Sequence, residues 1–187
     1  MKSRVCAMAV LGLGLAAAAP AQMPMNHDQG SMGGMQMGHD HAAMKAPEVP
    51  AGVLRIIFAG KTTDWKLTDL AALPHQSVTL ANAHTKTNQS FSGVPLMDLL
   101  VKAGVPAKPH GQDLALYLAA EGSDGYIAAL SVAEANPDVH PGTVLVADQL
   151  DGQPIAAAGP LMLVLAGETR PARWVRNLVL IKVARAE

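Results

Sequence analysis

Between Met23 and Lys45 the chain contains no Val, Leu, Ile, Phe, Tyr or Trp. Such a stretch cannot bury enough apolar area to offset the entropy of ordering it. Packing is therefore left to the residues beyond the Pro-rich segment "APEVPAG", residues 46–52. Residues 51–187 have the length of one domain with one core. That core has to be aliphatic, because the whole chain holds only two Phe, two Trp and two Tyr.

The chain starts with the basic Met1-Lys2-Ser3-Arg4, runs through "VCAMAVLGLGLAAAA" and reaches Ala19-Pro20-Ala21. This reads as a secretory signal with an Ala-x-Ala cleavage site, and no stop-transfer pattern comes after it. The expected organisation is a signal over 1–21, a disordered Met/His-rich tail and linker over 22–50, and a domain over 51–187. The expected location is the periplasm or beyond it, with no stable membrane anchor after cleavage. Cys6, the sole cysteine, falls within the signal, so the mature chain would have no thiol. Losing Lys2 and Arg4 takes the formal net charge from −1 to −3. With no basic run interleaved with aromatics, nucleic acid is not an expected partner.

Apolar spacing predicts the elements of the domain. "VLRIIFAG" reads as a strand and "KLTDLAALP" as a short helix stopped at Pro74. "SVTLANA" alternates as a second strand. "GVPLMDLLVKAGV" reads as a helix starting near Pro95 and closed by Gly104. Residues 113–120, "DLALYLAA", read as a strand, and Asp124-Gly125 as a turn into another. "SVAEANPD" gives a helix of one or two turns. "TVLVADQLDGQPI" gives a strand and a hairpin at Asp151-Gly152. "GPLMLVLAG" and "RWVRNLVLIKVA" complete the strands. The expectation is an α+β fold with a mixed β-sheet and short helices.

"FSGVPLMDLLVKAGV", "AAEGSDGYIAALSVAEA", "GPLMLVLAGE" and "RWVRNLVLIKV" occur in that order. Together they resemble the oxidoreductase molybdopterin-binding domain, the central domain of sulfite oxidase-like enzymes. "FAGKTTDWKLTDLAALP" resembles the start of the shorter, stand-alone members. The resemblance implies a sulfite oxidase-like fold, with a pterin dithiolene and one protein cysteine holding molybdenum. It places that cysteine shortly before the aromatic of a (W/F)-x-G-x-P-L motif. The aromatic here is Phe91, and counting back lands on Ala81. A methyl group cannot replace a soft anionic thiolate.

The candidate ligands elsewhere are of two kinds. Met23, Met25, Met32, Met35, Met37 and Met44 are soft thioethers suited to Cu(I). His27, His39 and His41 are imidazoles suited to Cu(II), Zn(II) or Ni(II). Gly33, Gly34 and Gly38 let the backbone wrap. Copper is the expected metal of this tail, against the plainer reading of a compositionally biased linker. In the domain, Asn82 and His84 lie where the resemblance places the cofactor. Arg170 and Arg173, with Arg176, could grip a phosphate or carboxylate, or stack on Trp174. Asp124, Gly125 and Tyr126 match the family's "DGY" but are accounted for by a turn and a packed ring. Glu134 is expected on a helix surface, and His75, His110 and His140 in loops.

Three functional expectations result. The first is an exported binding or accessory protein with a copper-binding tail, serving a periplasmic redox or metal-handling partner. The second is an oxidoreductase that holds molybdopterin without a cysteine ligand. The third is a partner-docking domain with the tail as a plain tether.

Overall fold

The computed structural model describes residues 47–82 and 86–186. They form two β-sheets with three short helices. The first sheet contains β1 (Val53–Phe58), β2 (Lys61–Lys66), β5 (Leu116–Gly122), β6 (Ile127–Ser131) and β10 (Leu178–Arg185), in the order β2-β1-β10-β5-β6. β1 and β10 are parallel, with Arg55 opposite Leu180, and the other pairs are antiparallel. The second sheet has the order β3-β4-β7-β8, with β9 also paired to β7. Its strands are β3 (Gln76–Ala81), β4 (Asn88–Pro95), β7 (Val144–Leu150), β8 (Gln153–Pro154) and β9 (Met162–Leu165). The mixed α+β expectation holds, with the strands divided between two sheets rather than gathered in one.

Burial explains why β7 and β9 do not alternate. Val144, Leu145, Val146 and Ala147 are all buried, as are Met162, Leu163, Val164 and Leu165. One face of this sheet meets the main core, which includes Leu54, Ile56, Leu99, Leu118, Val146 and Leu163. The other face meets a smaller cluster of Phe91, Ala147, Ile155, Met162 and Val164. A strand covered on both faces reads as a continuous apolar run.

The helices fill the gaps. α1 (Leu67–Ala71) buries Leu70. α2 (Leu96–Lys102) buries Leu96, Met97, Leu99 and Leu100 along one face. The amide of Gly104 donates to the carbonyl of Val101, and that of Val105 to the carbonyl of Leu100. This Schellman closure requires the left-handed backbone that Gly104 adopts at φ +105°. α3 (Val132–Ala135) is held by a capping box: Ala133 N–H donates to Ser131 Oγ, and Ser131 N–H to Glu134 Oε2 at 2.8 Å.

Several elements differ from the sequence expectation. The polar run Lys61–Lys66 is a strand on the sheet edge. Residues 88–95 are a strand that the spacing does not predict; it runs directly into α2, whose N-cap is Pro95, near the helix start that the spacing does predict. Residues 111–115 form a 3₁₀ turn before β5. Residues 173–177 precede β10 and contribute only an isolated bridge from Val175 to Leu163. No helix among the described residues is long and apolar enough to cross a membrane.

Candidate functional site

Ala81 is the last residue of β3 and stands opposite Asn88 across the hairpin to β4. It is exposed. The position that the resemblance gives to the molybdenum-ligating cysteine is therefore a solvent-facing methyl on a strand end. The described residues contain no cysteine at all. The residues present do not fit thiolate ligation of molybdenum. Neighbouring Asn82 is half-buried and donates from Nδ2 to Gln89 Oε1 at 2.7 Å, so it braces the hairpin. His84 lies outside the described residues, and so do residues 1–46, with the tail donors Met23, Met25, His27, Met32, Met35, Met37, His39, His41 and Met44.

The arginine segment is built from below by the small cluster. Trp174 meets Phe91 edge-on, with ring centroids 5.2 Å apart, and its Nε1 donates to the Leu165 carbonyl at 3.1 Å. Tyr126 O–H donates to the carbonyl of Ala172, tying the turn after β5 to the same segment. Arg173 then points at two carboxylates. Its Nη1 is 3.0 Å from Glu134 Oε1, and its Nε is 2.6 Å from Glu168 Oε1. Each oxygen of Glu134 is thus committed, one to the α3 cap and one to Arg173.

Electrostatics are set by this geometry. For Arg173, burial lowers the pKa, but the hydrogen bonds it donates to Glu134 and Glu168, together with their charges, outweigh it and raise the pKa above its ordinary value. For Glu134, burial pushes upward. The Ser131 amide, the Arg173 guanidinium and the charge of His140 together hold it below the ordinary carboxylate range. Arg173 is an internal tie between α3 and the β9–β10 connection. Arg170 is exposed, as is Arg176.

A pair with no signal in the local sequence joins the start of β3 to β7, across β4. His75, just before β3, donates from Nδ1 to the Leu73 carbonyl at 2.7 Å. Its Nε2 faces both oxygens of Asp148, at 3.0 and 3.2 Å. With an acceptor at each ring nitrogen, the imidazolium satisfies both. The Asp148 hydrogen bond is the main reason its pKa is raised above 6.5, against the opposing effect of burial.

Two clefts among the described residues measure about 260 and 370 Å³. Neither is lined by Asn82, Arg170 or Arg173. Among the described residues, no three His, Cys, Asp or Glu side chains gather closely enough to hold a metal ion.

Comparison with known proteins fits this architecture. No curated protein matches the chain. The solved structure of the sulfane dehydrogenase SoxCD from Paracoccus pantotrophus is similar, with a TM-score of 0.55 at 23% identity. The likeness covers 74% of this chain and 40% of that one, and it is a likeness of fold. The family model described as the oxidoreductase molybdopterin binding domain matches residues 54–187. On that match, which takes in every strand of both sheets but the first residue of β1, the chain belongs to the oxidoreductase molybdopterin-binding domain family.

Proposed function

We propose that this protein is an exported accessory or binding protein. In this reading the molybdopterin-oxidoreductase-like domain serves as a scaffold without thiolate-bound molybdenum. Residues 22–45 bind copper through Met23, Met25, Met32, Met35, Met37 and Met44, with His27, His39 and His41. The observation that carries the reading is Ala81. A family fold does not bring a family's chemistry when the ligating side chain is missing. The tail supplies the complementary half: soft neutral sulfur and imidazole at short spacing suit exchangeable copper. A periplasmic redox or metal-handling protein is the partner this chemistry would serve.

The test is elemental analysis with native mass on the mature protein purified from its own source. A Cu(I) competition titration on the intact protein and on a form lacking residues 22–45 accompanies it. Copper without molybdenum, lost with the tail, is the expected result. Molybdenum with a pterin mass would overturn it in favour of an oxidoreductase that holds its cofactor without cysteine. Equal copper affinity with and without residues 22–45 would reduce the tail to a tether.

A further inference from the structure

The cleft of about 260 Å³ lies between α2 and the connection from α3 to β7. Its apolar lining includes Met97, Val101 and Ala135. Two carboxylates, Asp98 and Asp138, line it as well, while no Lys, Arg or His does. Neither carboxylate has a hydrogen-bond or ion-pair partner among the described residues. The other cleft differs in this respect: its Arg55 is tied to Asp64 and its Lys182 to Glu121. Of these two clefts, the first is the one lined by carboxylates without an ion-pair partner among the described residues.

The walls are fixed in place. Asn136 is 2% exposed and sits between them. Its Nδ2 donates to the Ala107 carbonyl at 3.2 Å, and its Oδ1 accepts from the Asp138 amide at 2.9 Å. A buried amide satisfied on both sides holds its neighbours in one geometry. Three prolines in the lining stiffen it further. The cleft is smaller than the ~300 Å³ at which pockets for drug-sized ligands begin. It also opens beside Gln76, at the other end of β3 from Ala81. Five strand steps of ~3.4 Å put the two ends roughly 17 Å apart.

We propose that this cleft binds a small organic cation, an ammonium or guanidinium group on a short alkyl stem. The stem lies on Met97, Val101 and Ala135. The head group meets Asp98 and Asp138, which have no ion-pair partner among the described residues. Agmatine, which carries both head groups on a four-carbon stem, is the probe.

The experiment is an NMR titration of the intact mature protein with agmatine. Saturable shifts at Val101 and Ala135, reached at millimolar concentration or below, are expected. Raising the salt to about 1 M, where the Debye length is ~3 Å, should weaken binding. The double variant Asp98→Asn, Asp138→Asn should weaken it on the order of tenfold, the scale of two exposed charge contacts. Both side chains are exposed, so the fold should survive, and a thermal melt checks this. Val101→Lys, which places a competing ammonium at the rim, should abolish binding. Absence of saturation, equal binding by the double variant, or equal binding of an alkyl carboxylate would overturn the proposal.

Discussion

The imidazole of His75 is held between the Leu73 carbonyl and the carboxylate of Asp148, a residue 73 positions further along the chain. The contact depends on an irregularity in β7. Ala147 stands opposite Gly93 and Gln149 opposite Ser92, so Asp148 is an additional, bulged residue. A bulge re-aims a side chain. Here it turns Asp148 toward the start of β3, two strands away.

His75→Gln should therefore cost stability in a pH-dependent way. The folded-state pKa of His75 is raised above 6.5. Its contribution is fully present below the unfolded value and is lost as pH rises through the folded value. Urea denaturation of wild type and variant should differ by about 1.5–3 kcal/mol at pH 5.5, the range of a hydrogen bond to a charged group. The difference should shrink steadily above neutrality. A constant difference across that window would show that the imidazolium is not the stabilising form.

Arg173→Met should release Glu134 and Glu168 together. The guanidinium is 40% exposed, so screening limits the loss of stability to about 1 kcal/mol. The sharper readout is the Glu134 carboxyl. Its folded pKa is depressed, so its contribution is present above the unfolded value and is lost as pH falls through the folded value. In the variant that acid-side loss should diminish, and a carboxyl NMR titration should find Glu134 closer to its ordinary range. Trp174 fluorescence should stay near that of wild type, since its contacts are to Phe91 and Leu165.

Gly93→Ala tests the bulge itself. A Cβ there would lie 2.2 Å from the Val146 carbonyl oxygen and 2.4 Å from the Cα of Ala147. Both are backbone atoms of the neighbouring strand, so no side chain can move aside. A loss of about 3 kcal/mol, at the upper end for overpacking, is expected in thermal or urea unfolding. A loss below about 1 kcal/mol would mean that β4 and β7 separate more easily than their pairing implies.

Ala81→Cys restores the residue type that the family resemblance places at the end of β3. The side chain is exposed, so a thiol reagent should modify it rapidly in the folded state, with little change in stability. Slow modification would place that strand end under cover. Molybdenum uptake by the variant but not by wild type would show that ligand loss alone separates this chain from thiolate-bound relatives.

Local chemistry is legible in the sequence where one short segment decides the structure. Asp151-Gly152 reads as a hairpin turn, and both residues have positive φ, 51° and 76°, as a type I′ turn needs. Gly104 reads as a helix stop for the same kind of reason. Lys61–Lys66 escapes a sequence reading because Trp65 is its only apolar residue: Thr63 and Trp65 face the core side in alternation, but one apolar side chain makes no readable pattern. β4 escapes it because Gly93, Val94 and Pro95 carry both a strand end and a helix start. Glu134 and Asp148 leave no local trace near Arg173 and His75, since the tertiary fold brings α3 and β7 to them from 39 and 73 residues away. Trp174, one of the candidate partners for the arginines, meets Phe91 edge-on.

The parallel pairing of β1 with β10 ties the start of the domain to its end. β10 also pairs with β5, so the first sheet has no centre until the final strand exists. Loop-closure entropy has to be met before such a distant contact returns anything, which makes this topology slow to complete. A chain still being synthesised can form the β3-β4 hairpin and the β5-β6 hairpin, but it cannot close the first sheet. The order of synthesis thus keeps the domain open until the last strand, and a truncation before Leu178 would leave β1 and β5 as two unpaired edges.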